Sequence, residues 1–152
     1  MKPTRVSVLI AVALIAGVAG YLLTTAYYSD VPSLPLYGPI FLLVLAAAEA
    51  YTASTTAARL AGRPGTKPIH PITVARIAAL AKATSPIGAL AAGAYAGFLG
   101  HVAGIDSSQA TRDVRTAAVG AAAGLLLVVA ALFMERVCRV KTPKDDDRDR
   151  ED

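Results

Sequence analysis

Few residues in this chain of 152 have side chains placed to do chemistry, and Glu49 is the sharpest of them. It sits in the run 40–60, which is otherwise apolar until a patch of threonines and Ser54 near its end. A helix through that run crosses a bilayer and carries Glu49 near its middle. An ionised carboxylate there is costly, or it takes up a proton. Glu49 therefore reads as a proton- or cation-coupling group, as the partner of a basic side chain, or as a protonated interhelical hydrogen bond. Lys82 is the basic candidate. It lies inside the third apolar stretch, and its long stem suits either an ion pair with Glu49 or a charge held at the headgroups. Arg76 precedes it by six residues, about 120° away around a helix. It suits a phosphate, a lipid headgroup, a partner's acid or a plain interfacial charge.

Arg63, Lys67 and His70 fall in the segment 63–71, which holds three prolines and is expected to be stiff and extended. These three are the candidate contacts of a cytoplasmic docking loop. The segment lacks the spacing of a phosphate-binding loop. His70 and His101 are expected on opposite sides of the membrane, so they cannot share a metal or an active site. Cys138 is the single cysteine, which excludes an intramolecular disulfide. Its neighbours Arg136 and Arg139 would favour its thiolate. No nucleophile–base pair, metal-ligand spacing or cofactor motif is present, so the chain reads as neither an enzyme nor a metal or cofactor carrier.

These residues must be positioned by membrane-spanning helices. The chain is 55% hydrophobic and only 17% charged, and the charges sit in short blocks between long apolar runs. A hydrocarbon core of about 30 Å takes roughly 20 helical residues to cross. Four runs qualify, at about 6–28, 40–60, 72–102 and 116–137. The third exceeds the membrane thickness and contains Pro86, where a kink is expected. Pro71 suits a helix's first turn. Asp106 followed by Gln109 reads as a helix start. The first run is too long for a signal peptide and reads as a retained anchor. Residues 145–152 hold six acidic and two basic side chains. They read as a disordered acidic tail.

The expected architecture is thus all-α, an integral membrane bundle of four transmembrane helices forming one domain over 1–144. Basic residues crowd the N-terminal flank, the middle loop and the C-terminal flank, and four crossings put all three on one side. The excess of Lys and Arg makes that side cytoplasmic, with both termini inside. Small residues four apart supply packing faces. Ala13, Ala16, Gly17 and Gly20 serve the first span, and Ala46, Ala50 and Ser54 the second. Ala89, Gly93 and Gly97 serve the third, and Gly120 and Gly124 the fourth. The flanking positions of the basic groups speak for anionic lipid rather than nucleic acid.

The stretches Ala48-Glu49-Ala50, Arg63-Pro64-Gly65-Thr66 with Pro68 and Pro71, VARIAALAKA at 74–83 and Glu135-Arg136-Val137-Cys138-Arg139-Val140 resemble a family of small actinobacterial membrane proteins catalogued as a domain of unknown function. The resemblance spans most of 1–144 and puts Glu49, Arg76 and Lys82 inside a recognisable pattern. It implies a gene neighbourhood of folate biosynthesis, although no residues here look like a pterin site. The functional expectation is a multi-pass protein of the inner (plasma) membrane, accessory to other proteins and docking through its basic loop. Its expected partners are membrane lipids and either a membrane protein or a second copy. The alternative is a small homo-oligomeric transporter or channel using the intramembrane carboxylate.

Overall fold

The computed structural model describes residues 4–28, 34–61 and 71–138. They form four helices: α1 (Val6–Tyr27), α2 (Tyr37–Leu60), α3 (Pro71–Val102) and α4 (Ser108–Val137). Each is long and apolar enough to cross a membrane. The chain is therefore an all-helical, multi-pass membrane protein. The acidic tail and the 62–70 segment lie outside the described residues.

Three helix boundaries extend the sequence reading for local reasons. α2 begins before Pro39, which is its third residue, where the missing N–H would have had no intrahelical partner. α3 opens on Pro71 and runs through Pro86 as one helix of 32 residues, about 48 Å at the ordinary rise. Pro86 cannot donate to the carbonyl of Lys82, and the Ser85 hydroxyl donates to that oxygen instead, at 3.4 Å. α4 starts at Ser108, eight residues before the apolar run. Its cap is Ser107 rather than Asp106, and the Ser107 hydroxyl oxygen accepts from the Ala110 N–H at 3.0 Å.

The helices pack in the spatial order α1–α3–α4–α2. α3 and α4 form the central pair, α1 rests on α3, and α2 rests on α4; α2 and α3 only graze one another. Among the described residues α1 and α2 do not meet, although they are consecutive in the chain. α1 lies parallel to α3, with Ala13 opposite Gly93 and Gly17 opposite Gly97. α3 and α4 are antiparallel, with Gly88 and Ala92 against Gly124 and Tyr95 against Gly120. α2 runs parallel to α4: Leu42 and Ala46 cluster with Ala123 and Leu127, and Ala53 clusters with Met134 and Cys138.

Lipid is as apolar as these side chains, so close backbone approach has to hold the helices together. The glycines supply it. A Cβ on Gly93 would fall on the Ala13 carbonyl, and one on Gly97 on the Gly17 carbonyl. On Gly120 it would sit 2.7 Å from the Tyr95 ring. The stripes expected on α1, α3 and α4 are thus real interfaces. The one expected on α2 is not. Ala50 and Ser54 are exposed, and the buried face is Leu42, Ala46, Glu49, Ala53 and Thr56. Its alternating spacing of four and three keeps one face toward a neighbour crossing at a shallow angle.

Candidate functional site

Glu49 lies at the middle of α2, on that buried face. Only 3% of it is exposed, and neither carboxyl oxygen has a hydrogen-bond partner. Thr84 on α3 is a polar neighbour. Its hydroxyl is already turned to the backbone oxygens of Leu80 and Ala81, at 3.1 and 3.2 Å. On one side of Glu49 is the cluster of Leu42, Ala46, Ala123 and Leu127. On the other is that of Ala53, Val74, Ala81, Met134 and Cys138. The carboxyl is enclosed between them, where burial without hydrogen bonds is costly.

Lys82 and Arg76 are both exposed. A hydrogen-bonded Glu49–Lys82 pair is not formed, because neither Glu49 oxygen accepts a bond. Lys82 occupies the turn of α3 before Pro86, on a face turned outward while Ala81, Thr84 and Ser85 turn inward. Arg63, Lys67 and His70 lie outside the described residues. Cys138 is buried, and burial pushes its thiol above the usual range, against the lowering expected from its arginine neighbours.

A second polar centre stands at the opposite end of the helices, and its key residue escaped the sequence reading. Asp113 is 1% exposed on the second turn of α4. Its Oδ2 accepts from the Tyr28 hydroxyl at 3.1 Å, and its Oδ1 accepts from the Leu34 N–H at 2.9 Å. Tyr28 caps the end of α1, and Leu34 lies just before α2. Asp113 therefore grips both described ends of the connection that carries the chain from the α3 side of the molecule to the α4 side. Tyr28 stacks edge-on against Phe98 and His101, and Tyr21 against His101. Thr25 Oγ1 and His101 Nδ1 are 3.1 Å apart. Burial and the Asp113 contact together hold the Tyr28 phenol above its ordinary range. His101 is thus part of an interhelical clamp. The signal for Asp113 was present: it precedes Gly120 by seven residues, so the Gly120–Gly124 stripe extended by two turns lands on it.

The two ends of the molecule differ in charge. The parallel and antiparallel pairings bring the start of α1, the end of α2, the start of α3 and the end of α4 together. The Thr4 N–H donates to Glu135 Oε1 there, at 2.8 Å. Arg5, Arg59, Arg76 and Arg136 are all exposed at this end. The other end exposes Arg112 and Arg115 beside Asp106. Among the described residues no three of His, Cys, Asp and Glu come together as metal ligands.

Residues 9–142 match a protein family described as "Protein of unknown function (DUF3180)". The chain belongs to that family. The match takes in Glu49, Arg76, Lys82 and Asp113 alike, so both polar centres lie within the DUF3180 domain. No curated protein and no solved structure matches the chain.

Proposed function

We propose that this DUF3180 protein is an accessory protein of the cell membrane that docks other proteins at its basic end. One observation carries the reading: the four arginines at that end are exposed together, while the carboxyls of the described helices are turned inward. Asp113 and Glu135 are spent on contacts within the chain, and Glu49 is enclosed. Such an end attracts acidic protein surfaces and anionic headgroups. The excess of arginine makes it the cytoplasmic end, so both termini and the segment with Arg63, Lys67 and His70 lie inside.

The test is purification of a tagged copy from native membranes in mild detergent, with mass and composition read together. A stoichiometric second protein is expected, and it should be lost when 63–71 is replaced by alanine while helix content is unchanged. Recovery of that partner at full yield would sink the docking reading. The bare carboxyl of Glu49 favours a second reading, a homo-oligomeric transporter. That reading requires proton or substrate flux in proteoliposomes that Glu49→Gln removes.

A further inference from the structure

Small residues one turn apart normally admit a neighbouring helix, yet Ala50 and Ser54 on α2 are exposed. Beside them α4 presents Val129 and Phe133, which are exposed as well. Between the two helices runs a groove of about 390 Å³, with a floor of Ala46, Ala50 and Ala130 and walls of Leu43, Val129 and Phe133. It extends from Leu43 to Ala50, about 10 Å of helix. On α4 it occupies the second half of the apolar run 117–133. It therefore lies in the leaflet at the basic end, whose hydrocarbon is about 15 Å deep. A helix is about 10 Å across, and a stretch of that length fills roughly twice the groove. The space suits a single chain of methylenes instead.

The mouth of this groove is cationic. Arg136 is exposed and follows Phe133 by one turn and Val129 by two, so it stands on the groove's face of α4. Ala53 packs beside Met134, which sets the neighbouring Ser54 level with this turn of α4. Ser54 is small and leaves the mouth open, and its hydroxyl donates to the Tyr51 carbonyl at 2.8 Å. The adjacent acid, Glu135, is about 100° further round α4, where its Oε1 accepts from the Thr4 N–H. An apolar groove that ends beside a guanidinium at headgroup level complements a phospholipid, with methylenes below and phosphate above. We propose that the α2–α4 groove binds one acyl chain of an anionic phospholipid from the leaflet at the basic end, with its phosphate held by Arg136. The site narrows the general attraction of that end for anionic headgroups to one place, and it does not depend on a docked protein. The other apolar groove, between α1 and α4, reaches toward the basic end only as far as Ile10 and Leu125, about three turns short of Arg136.

The experiment takes the full chain, delipidated in detergent, and adds phosphatidylglycerol or phosphatidylcholine with the same acyl chains. Bound lipid is counted by native mass spectrometry. The wild type is expected to hold one phosphatidylglycerol about fivefold more tightly than phosphatidylcholine, a preference that fades as salt is raised. Arg136→Gln should bring the two lipids within about twofold of each other. Ala50→Leu, at an exposed position, puts its branch into the groove and should weaken both lipids roughly tenfold. Ala96→Leu fills the other groove and should change neither. Circular dichroism checks the helix content of each variant. If Arg136→Gln fails to accumulate, the salt dependence of the wild type and the Ala50→Leu result decide the question. Equal affinity of the wild type for the two lipids, a preference that survives Arg136→Gln, unchanged binding by Ala50→Leu, or an equal loss in Ala96→Leu would each overturn the proposal. So would a dimer that Ala50→Leu dissolves, because a second copy would then occupy the groove.

Discussion

Replacing Asp113 with alanine removes two hydrogen bonds at once and leaves a part-buried N–H behind. The Tyr28 hydroxyl and the Leu34 N–H both donate to it, at 3.1 and 2.9 Å, and the side chain is almost wholly enclosed. A bond to a carboxylate contributes about 1.5–3 kcal/mol, and an orphaned buried donor costs about 1–3 kcal/mol. Tyr28 is only half-buried and regains water when its bond is lost, which puts the total for Asp113→Ala at about 3–4 kcal/mol. Tyr28→Phe removes one bond and should cost about 1–2 kcal/mol. Asparagine at 113 keeps an acceptor for Leu34 and offers Tyr28 a donor, so Asp113→Asn should be the mildest change. The assay is unfolding of the purified chain in mixed micelles followed by helix content, with the single and double variants compared as a cycle. A coupling of about 1 kcal/mol between positions 28 and 113 is expected. Simple additivity of the two, or an Asp113→Ala cost below about 1 kcal/mol, would refute the clasp.

Other expectations follow from the same contacts. Gly97→Val drives a Cβ onto the Gly17 carbonyl and should loosen α1 from α3 by about 1–3 kcal/mol. Gly100→Ala, whose added carbon meets only the Tyr21 ring at 3.9 Å, should instead be neutral or stabilising; thermal melting of both variants checks the contrast. The Tyr28 phenol is raised in the folded chain, so its contribution is complete below the unfolded value of about 10 and is lost as pH climbs through the folded one. As the pH climbs from about 10 to the folded value, the melting temperature should fall more steeply in the wild type than in Tyr28→Phe. Cys138 should react with thiol reagents more slowly in the folded chain than in the unfolded one, and the gap should persist past the ordinary thiol range near pH 8.5. Ser107→Ala removes the α4 cap and should cost about 1 kcal/mol, read in the same unfolding assay.

The four helices were legible because charge and apolar runs are segregated, and hydrocarbon thickness converts run length into crossings. The glycine stripes on α1, α3 and α4 were legible because a glycine in an apolar span has little use other than close approach. On α2 the same rule failed. Ala46, Ala50 and Ala53 are alike in type, and only the packing against α4 tells which of them turns inward. The order α1–α3–α4–α2 could not be read, since lipid-facing and protein-facing surfaces are both apolar and no stripe names its partner. Glu49 stood out as a lone acid in an apolar run, but the outward turn of Lys82 and Arg76 depends on helix rotation. Asp113 was hidden by its neighbours Arg112 and Arg115, which make its stretch look like an ordinary polar connection.

The separation of α1 from α2 has a consequence for how the protein is made. Neighbouring segments emerge from the ribosome together, yet the first two spans have no interface with each other, and each waits for a helix synthesised later. Until α4 is inserted, α2 would face lipid with Glu49 uncovered, and Asp113 would not yet have drawn the α1–α2 connection into place. A chain stopped at residue 61 would therefore leave two unassembled helices, one of them bearing an acid in hydrocarbon. That combination exposes nascent DUF3180 chains to membrane quality control for the time it takes to synthesise their second half.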